Sequence, residues 1–336
     1  MRKIPLLLLL LLLAACRSPE QQALQQYHTL LADAFGQSSE LALPAPFPAR
    51  RALALGQLDR QLTLLEALQL KQCDLLYLAS DKNQILSKHQ SAADNFVFQQ
   101  TLLTRLNTCL AKQLELTADN RQFITQLRNE KQQKLPAYFW HLLFQDAATY
   151  PYFASGTQLY PLEGHRFAYD SLQALRYLNQ IKPLAATNTP LSQHTLNTDA
   201  LNHHLQLLAQ SHYLSSLIYS AQLATARLNH ATQLLAQNRD SISCRSRRSP
   251  AGFNQLKAIF SHRYVKQMQP YLAQINDQLH QAMPLFRTLV TPYPPGLAAD
   301  TAQQLDFILQ TQARLIAASQ AHQGQWQALF TLCNQD

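Results

Sequence analysis

Glycine is scarce in this sequence, which has seven glycines in 336 residues. Glycine supplies the positive-φ positions of hairpin turns and the loops that cradle phosphate groups. Neither a Gly-x-Gly-x-x-Gly motif nor a P-loop spacing occurs. The scarcity of glycine therefore disfavours a dinucleotide-binding domain or a β-barrel and favours a helical protein.

Charged residues are also few, at 14% of the sequence, and Gln, Asn, Ser and Thr fill most polar positions. Without Arg2 and Lys3, 26 basic residues remain against 20 acidic ones. This weakly basic balance suits anionic lipid, lipopolysaccharide or an acidic polymer, but spread over this length it selects no partner. The length permits one large domain or two modest ones.

An unbroken run of leucine occupies residues 6–13 and follows the positive pair Arg2 and Lys3. The run is shorter than the roughly 18–20 apolar residues that cross a bilayer as a helix. A positive start, a short apolar core and small residues before a cleavage site mark a secretory signal peptide. We therefore predict a signal peptide over residues 1–15 rather than a membrane span.

The residues that close this segment resemble the lipobox of bacterial lipoproteins; they are Leu13, Ala14, Ala15 and Cys16. In such proteins diacylglycerol is joined to the cysteine, the peptide is cleaved before it, and the new amine is acylated. The resemblance implies that Cys16 carries lipid, palmitate included. Three acyl chains, at about 0.8 kcal/mol per buried methylene, make a durable membrane anchor. The alternative is an ordinary signal peptide followed by a chance cysteine.

Arg17 follows the predicted lipidation site. In Gram-negative lipoproteins an aspartate at this position commonly retains the protein at the inner membrane, and other residues release it outward. The resemblance therefore implies the periplasmic face of the outer membrane, with the periplasmic face of the inner membrane as the alternative. An exported chain does not meet intracellular nucleic acid, so we expect no nucleic-acid partner.

Apolar residues recur at spacings of three and four through most of the sequence, which is typical of helices. We predict an all-α fold, an elongated bundle of long antiparallel helices in two packed sub-bundles, with one irregular aromatic-rich loop region. The predicted helices span about 19–35, 58–78, 94–116, 118 to beyond Pro136, 169–181, 197 to beyond Leu235, 250–289 and 299–333.

Three parts follow the signal peptide in this prediction. Residues 16–50 hold the anchor, the first helix and a Pro-rich joint, 51–190 form an N-terminal helical part, and 191–336 form a C-terminal long-helix part. A heptad seam marks the last part, because apolar residues repeat every seven positions and again three positions later. The seam consists of Leu207, Leu214, Leu217, Ala221, Ala224, Leu228, Ala231 and Leu235.

Four cysteines remain beyond the signal peptide: Cys73, Cys109, Cys244 and Cys333. An even number of cysteines in an oxidising compartment usually forms disulfides. Residues equidistant from the turn of an antiparallel helical hairpin lie level with each other. The midpoint of the first two cysteines falls in a polar turn, and that of the last two lies close to the Pro-rich turn at 291–296. We therefore predict Cys73–Cys109 and Cys244–Cys333, with free buried thiols as the alternative.

The helical pattern stops at residues 150–167, where prolines and glycines punctuate a segment rich in tyrosine and phenylalanine. Loops on a rigid scaffold often carry binding residues. We hypothesise that this segment lines a ligand or partner surface; the residues are Trp140, Tyr152, Phe153, Tyr160, His165 and Arg166. The alternative is that the aromatic rings plug the bundle.

Two further groups of polar residues are candidates for chemistry. Arg245, Arg247 and Arg248 can contact an anion, although a solvated loop is the better explanation of them. Asp199 and His203, with His204 and His212 nearby, have part of a metal-ligand spacing. His204 and His212 stand about 12 Å apart along a helix, and Asp199 serves equally well as a helix cap. We expect no metal and no cofactor.

Several stretches resemble a family of uncharacterised bacterial lipoproteins, the domain of unknown function DUF3080. The resemblance rests on Leu65–Lys88, on Leu103, Leu106 and Cys109, and on the segment Phe260–Leu272 with its Gln269-Pro270-Tyr271-Leu272 end. It extends over most of the mature chain. The family carries glycine after the first cysteine, where this sequence has Asp74. The resemblance implies a Gram-negative envelope protein and no particular activity.

These patterns favour a non-enzymatic envelope lipoprotein, a helical adaptor or binding module whose partner is a protein, a lipid or a cell-wall polymer. The support is a lipid anchor, long helices and no recognisable nucleophile–base pair or paired carboxylates. The alternative is a hydrolase that acts on envelope glycan or lipid through the aromatic segment.

Overall fold

The computed structural model describes residues 18–56, 58, 64–73, 75, 91–112, 116–154, 156, 158–186, 196–244 and 252–334. Helices form nearly all the secondary structure in these ranges, where the one extended pairing is an isolated bridge between Ser243 and Gly252. The predicted all-α bundle is confirmed. No helix in these ranges combines the length and the apolarity needed to cross a membrane.

The helices are numbered in chain order within the described ranges. They are α1 (Pro19–Ala34), α2 (Leu64–Gln69), α3 (Ala92–Ala111), α4 (Ala118–Phe144), α5 (Tyr150–Ala154), α6 (Ala168–Ile181), α7 (Thr198–Ala209), α8 (Tyr213–Gln237), α9 (Phe253–Ile259), α10 (Gln269–Val290), α11 (Ala299–Leu309) and α12 (Thr311–Asn334). A π-helix over Phe260–Met268 joins α9 to α10, and 3-10 turns occupy Leu70–Cys73, Lys182–Ala185 and Arg239–Ser241.

Polar side chains cap several helices at their first turn. Ser91 and Asp94 form a capping box at the start of α3, each bonding the other's backbone N–H. Ser18 accepts from the backbone N–H of Gln21 at the start of α1. These caps satisfy N–H groups that have no partner inside the helix, so they set where the helices begin.

Two helices predicted as continuous are interrupted, and both predictions of continuity are wrong. The chain turns at 210–212, where Ser211 accepts from the N–H of Tyr213 and pairs with Ser171 of α6. It also breaks at Gln310, where the carbonyl of Leu309 accepts from Arg287 of α10 at 2.9 Å. In both places a residue of another helix forms a hydrogen bond at the break: Ser171 with Ser211, and Arg287 with Leu309.

The helix α8 lies at the centre of the bundle and packs against α1, α10 and α12. The helices α8 and α12 are parallel, since Thr232 lies beside His322 and, further along both segments, Cys244 is bonded to Cys333. The predicted seam is buried on α8, from Leu214 to Leu235. Leu207 lies before the break and is only partly buried.

Two groups of buried apolar residues hold the described elements together. The larger cluster runs from α1 to α12. The smaller one joins α3 to α4 around Leu70, Leu106 and Ile124, beside the Cys73–Cys109 disulfide. The helix α4 continues through Pro136, as predicted.

The structure contains both predicted disulfides. Cys73 is bonded to Cys109 with their Cα atoms 5.4 Å apart, and Cys244 to Cys333 with Cα atoms 5.1 Å apart. The second bond joins Cys244, which precedes α9, to Cys333 near the end of α12. The sequence predicted this pair because the two residues are nearly equidistant from the Pro-rich turn. Cys16 and the signal peptide lie outside the described residues, as do Arg245, Arg247 and Arg248.

Candidate functional site

The aromatic segment belongs to the core. Its central residues, Tyr152, Phe153 and Tyr160, are at most 1% exposed, and Trp140 is 3% exposed. Residues 150–154 form the short helix α5 instead of an irregular loop. The hypothesis that these rings line a ligand or partner surface is therefore wrong, and the plug is the correct account of them.

Hydrogen bonds hold this segment between α8 and α10. The N–H of Tyr160 donates to the hydroxyl of Ser220 at 2.7 Å, and the hydroxyl of Tyr271 donates to the Tyr160 carbonyl. The Trp140 indole N–H donates to the carbonyl of Leu53 at 2.8 Å. Because Tyr152, Phe153 and Tyr160 lie in the interior between these helices, their rings are closed off from solvent.

The two polar candidate residues, His165 and Arg166, lie at the end of the segment. Burial, with the positive groups of His212 and Arg166 nearby, lowers the pKa of His165. The guanidinium of Arg166 stacks over the ring of Phe167 at 4.5 Å. Neither residue lines either of the two described cavities. The hydrolase alternative depends on an open site in this segment, and the buried rings remove that support.

The histidines of α7 make structural contacts. The ring of His204 stacks on Tyr177 with centroids 4.3 Å apart. Asn197 caps the helix by accepting from the N–H of Ala200, so the cap suggested for Asp199 is supplied by Asn197. Among the described residues, no group of three or more His, Cys, Asp or Glu side chains has a metal-binding arrangement.

A directed chain of hydrogen bonds crosses the core around His322, which is fully buried. The indole N–H of Trp326 donates to the hydroxyl of Tyr27 at 2.9 Å, and that hydroxyl donates to Nε2 of His322 at 2.6 Å. Nδ1 of His322 donates to the hydroxyl of Thr232 at 3.1 Å, which donates to the carbonyl of Leu228. This order requires a neutral imidazole, and burial lowers the pKa of His322 to about 3. The network ties α1 and α8 to α12.

A second histidine contact joins α1 to α8. Nε2 of His28 lies 2.7 Å from Nδ1 of His230. Burial, with His230 and Arg227 nearby, lowers the pKa of His28 to about 4. One terminal nitrogen of Arg227 is buried with no hydrogen-bond partner. At this distance one ring nitrogen donates its hydrogen and the other accepts it, so the contact is a direct imidazole–imidazole hydrogen bond.

An open groove of about 610 Å³ lies along α8 and α12. Its walls are residues 222–229 of α8, residues 311–321 of α12, Phe307 of α11 and the extended segment 42–45. We call it the alanine groove, because alanines supply much of its floor: Ala226, Ala317, Ala318 and Ala321. Small side chains on two neighbouring helices leave a trough between them where larger ones would fill it.

The rim of the alanine groove is partly apolar and exposed. Leu43 is 75% exposed and Phe307 is 43% exposed, although both are large apolar residues. The guanidinium of Arg314 lies 3.3 Å from the centroid of the Phe307 ring. Arg314 is the one charged residue of the groove lining in the described part of the chain. The groove therefore combines an apolar trough with a single positive charge.

The Pro-rich segment forms the outer wall of the groove and is held at its far end. The carbonyl of Pro46 accepts from the Gln304 side chain at 2.7 Å, and that of Pro48 accepts from the Tyr150 hydroxyl at 3.1 Å. Proline has no backbone N–H, so this segment is bonded through its carbonyls. The wall is thus a strap across the bundle rather than a helix.

A smaller cavity of about 220 Å³ lies between α10 and α12. It adjoins the π-helix through Tyr264, and side-chain amides line much of it, including Gln269, Asn276 and Gln320. Asn276 accepts from the side chain of Gln312 at 3.4 Å. The alanine groove has nearly three times this volume, which makes it the better candidate for a binding site.

The model of the family of proteins of unknown function designated DUF3080 matches residues 24–336. The chain belongs to this family. No curated protein and no solved structure matches it. The DUF3080 match includes both disulfides and every wall of the alanine groove, so these features lie within the family domain.

The sequence of this DUF3080 member did not predict the groove. A signal was present in the run Ala317-Ala318, followed by Ala321 and preceded by Arg314. Alanine is also the best helix former, so the run by itself indicates only a helix. The groove becomes visible only when α8 is placed beside α12.

Proposed function

We propose that this chain is a lipid-anchored binding module of the bacterial envelope, and that the alanine groove holds the apolar part of its ligand. The observation that carries the proposal is the groove itself. Its volume of about 610 Å³ lies within the range of roughly 300–1,000 Å³ that is typical of small-molecule sites. Its lining is mainly apolar, as such sites require.

The predicted anchor supports this function by its position. Ser18, which caps α1, stands two residues after Cys16. An extended chain spans at most about 3.6 Å per residue, so lipid on Cys16 places the start of α1 within roughly 10 Å of the membrane surface. We propose the periplasmic face of the outer membrane, because Arg17 follows Cys16, with the inner membrane as the alternative. An anchor this short keeps the chain at the bilayer, where apolar ligands are concentrated.

Photolabelling of the groove tests this function. Envelopes from cells that produce the full chain are treated with a neutral diazirine probe on an alkyl chain, irradiated and mapped by peptide mass spectrometry. We expect label on the peptides that contain residues 222–229 and 307–321. Ala321→Trp is expected to abolish this label, because the exposed Ala321 side chain lies in the groove.

Ala313→Trp is the matched control. Ala313 is also an exposed alanine of α12, but it lies outside the groove lining. Equal labelling of the two tryptophan variants, or label spread evenly over the protein surface, contradicts the proposed function.

A further inference from the structure

We propose that the alanine groove binds single-chain amphiphiles with an anionic head, which lies at Arg314 while the acyl chain follows the alanine floor. This inference rests on the proposed function and specifies the chemical class of the ligand. Three observations carry it. Among the described residues, Arg314 has no acidic partner, the hydroxyl of Thr311 has no hydrogen-bond partner, and the trough is long and lined by alanines.

Arg314 is placed to receive an anion. Its guanidinium lies over the Phe307 ring at 3.3 Å, so one face of the planar group is covered. In the part of the chain that the structure describes, no carboxylate forms an ion pair with it. The N–H groups point outward in the guanidinium plane, where they suit the paired oxygens of a carboxylate or phosphate. An arginine positioned by an aromatic ring and left without an acid is typical of an anion-binding residue.

Thr311 supplies a second, independent observation. Its side chain is 2% exposed, lines the groove, and has a hydroxyl with no hydrogen-bond partner. Buried polar groups are nearly always paired, so an unpaired hydroxyl in a cavity wall indicates a missing partner. Thr311 and Arg314 are three residues apart and therefore share one face of α12. An anionic head at Arg314 therefore lies on the same helix face as this hydroxyl.

The position of Thr311 and Arg314 at the start of α12 also favours a negatively charged head group. Thr311 is the first residue of α12, which is 24 residues long. The start of an α-helix carries a partial positive charge. That field and the guanidinium act together on a head group at the start of α12, and both disfavour a cationic ligand.

The shape of the trough favours a linear chain. The floor on α12 extends from Thr311 to Ala321, about 15 Å along a helix axis. Alanine methyl groups offer no hydrogen bonds to sugar hydroxyls, whereas they pack well against methylenes. Ala226 of α8 and Ala317 of α12 line the channel between the helices. A single acyl chain fits such a channel better than a ring system or a glycan.

The test compares head groups on one chain. Envelopes that contain the full protein receive four photo-probes with the same diazirine acyl chain: a free carboxylate, a lysophospholipid phosphate, a neutral monoacylglycerol and a quaternary ammonium. We expect the carboxylate and phosphate probes to label the peptides with residues 222–229 and 307–321 most strongly. The ratio between these two anionic probes distinguishes a fatty acid from a phospholipid-derived ligand.

Arg314→Gln is the decisive variant. We expect it to reduce labelling by the anionic probes at least about tenfold, as loss of charge-assisted hydrogen bonds predicts, with the neutral probe changing less than about twofold. Arg239→Gln is the control, because Arg239 is an exposed arginine outside the groove and its loss removes the same charge. Circular dichroism of each variant confirms that the helical fold is intact.

Two results overturn the inference, and they differ in what else they overturn. Equal labelling by anionic, neutral and cationic probes, unchanged by Arg314→Gln but blocked by Ala321→Trp, refutes the anionic ligand and leaves the groove as a binding site. Failure of every probe to label the groove peptides refutes both the ligand class and the proposed function, because the groove is then closed or filled by a protein segment or the chain's own anchor.

Discussion

At the scale of single residues, two threonines at the interface between α8 and α12 differ in their hydrogen bonding. The hydroxyl of Thr232 lies between the carbonyl of Leu228 and Nδ1 of His322. The hydroxyl of Thr311 is buried and has no partner. Since an unpaired buried hydroxyl costs free energy and a paired one does not, the same substitution should have opposite effects at the two sites.

We predict that Thr311→Val raises the free energy of unfolding by about 1 kcal/mol, because it removes an unpaired polar atom and keeps the shape. Thr232→Val should lower that free energy by about 1–3 kcal/mol, because it leaves the N–H of His322 buried without an acceptor. Urea unfolding followed by circular dichroism measures both. Destabilisation of similar size at both positions contradicts the assignment.

The buried histidine predicts how stability depends on pH. Burial lowers the pKa of His322 to about 3, whereas in the unfolded chain it returns to about 6.5. Between these values the unfolded chain binds more protons, so the free energy of unfolding falls as the pH falls from about 6.5 towards 3. His28, with a pKa of about 4, acts in the same direction.

We therefore expect His322→Gln to be less stable than the natural chain at pH 7, where it loses the Tyr27 and Thr232 bonds. Its stability should decline less steeply between pH 6.5 and pH 4, because one titrating group is gone. Urea midpoints at several pH values give both quantities. His262→Gln is the control, since His262 is an exposed histidine, and it should keep the natural slope. An unchanged slope in the His322 variant counts against a neutral buried imidazole.

At the scale of elements, the sequence predicts most helices within a few residues, and its errors have identifiable causes. The starts of α3 and α6 agree with the predicted starts to within two residues, because the capping box of α3 and the apolar spacing of both helices are local signals. The breaks at 210–212 and Gln310 depend on Ser171 and Arg287, which are distant in sequence. No local pattern contains such partners, so these two breaks escaped prediction.

The two disulfides also act at this scale, because each closes a loop between elements. The Cys244–Cys333 bond closes 89 residues and the Cys73–Cys109 bond closes 36. The loss of loop entropy in the unfolded chain stabilises the fold by about 4.6 kcal/mol for the longer loop and about 3.8 kcal/mol for the shorter one. The longer loop therefore contributes roughly 0.8 kcal/mol more.

We predict that replacing Cys244 and Cys333 by serine lowers the urea midpoint more than replacing Cys73 and Cys109. Each double variant keeps the other bond and so serves as its partner's control. Non-reducing peptide mapping of the natural chain should recover only these two pairs. Recovery of a Cys73–Cys244 peptide, or a larger loss in the Cys73 and Cys109 variant, disagrees with the hairpin arrangement.

At the scale of the whole molecule, the proposed anchor joins a helical body to a membrane. We predict that the natural chain incorporates radioactive palmitate and that Cys16→Ser abolishes this label and leaves an unprocessed precursor. The reason is that only the Cys16 sulfur can form the thioether that precedes cleavage. Gel analysis of labelled cells measures both effects, and Cys73→Ser is a control that should keep the label. Equal labelling of the Cys16→Ser chain shows that lipid is attached elsewhere.

The sequence by itself determined the helical class, the pairing of the four cysteines and the family resemblance. These follow from local periodicity, from distances along the chain to a turn, and from recognisable residue patterns. The tertiary structure alone decided that the aromatic rings are core and that an open groove lies between α8 and α12. Burial depends on which helices become neighbours: the rings of Tyr152 and Tyr160 lie between α8 and α10, whereas Ala226 and Ala317 leave a gap between α8 and α12. Neighbouring helices are chosen by the sum of many weak contacts over the entire core, and no short stretch of sequence contains that sum.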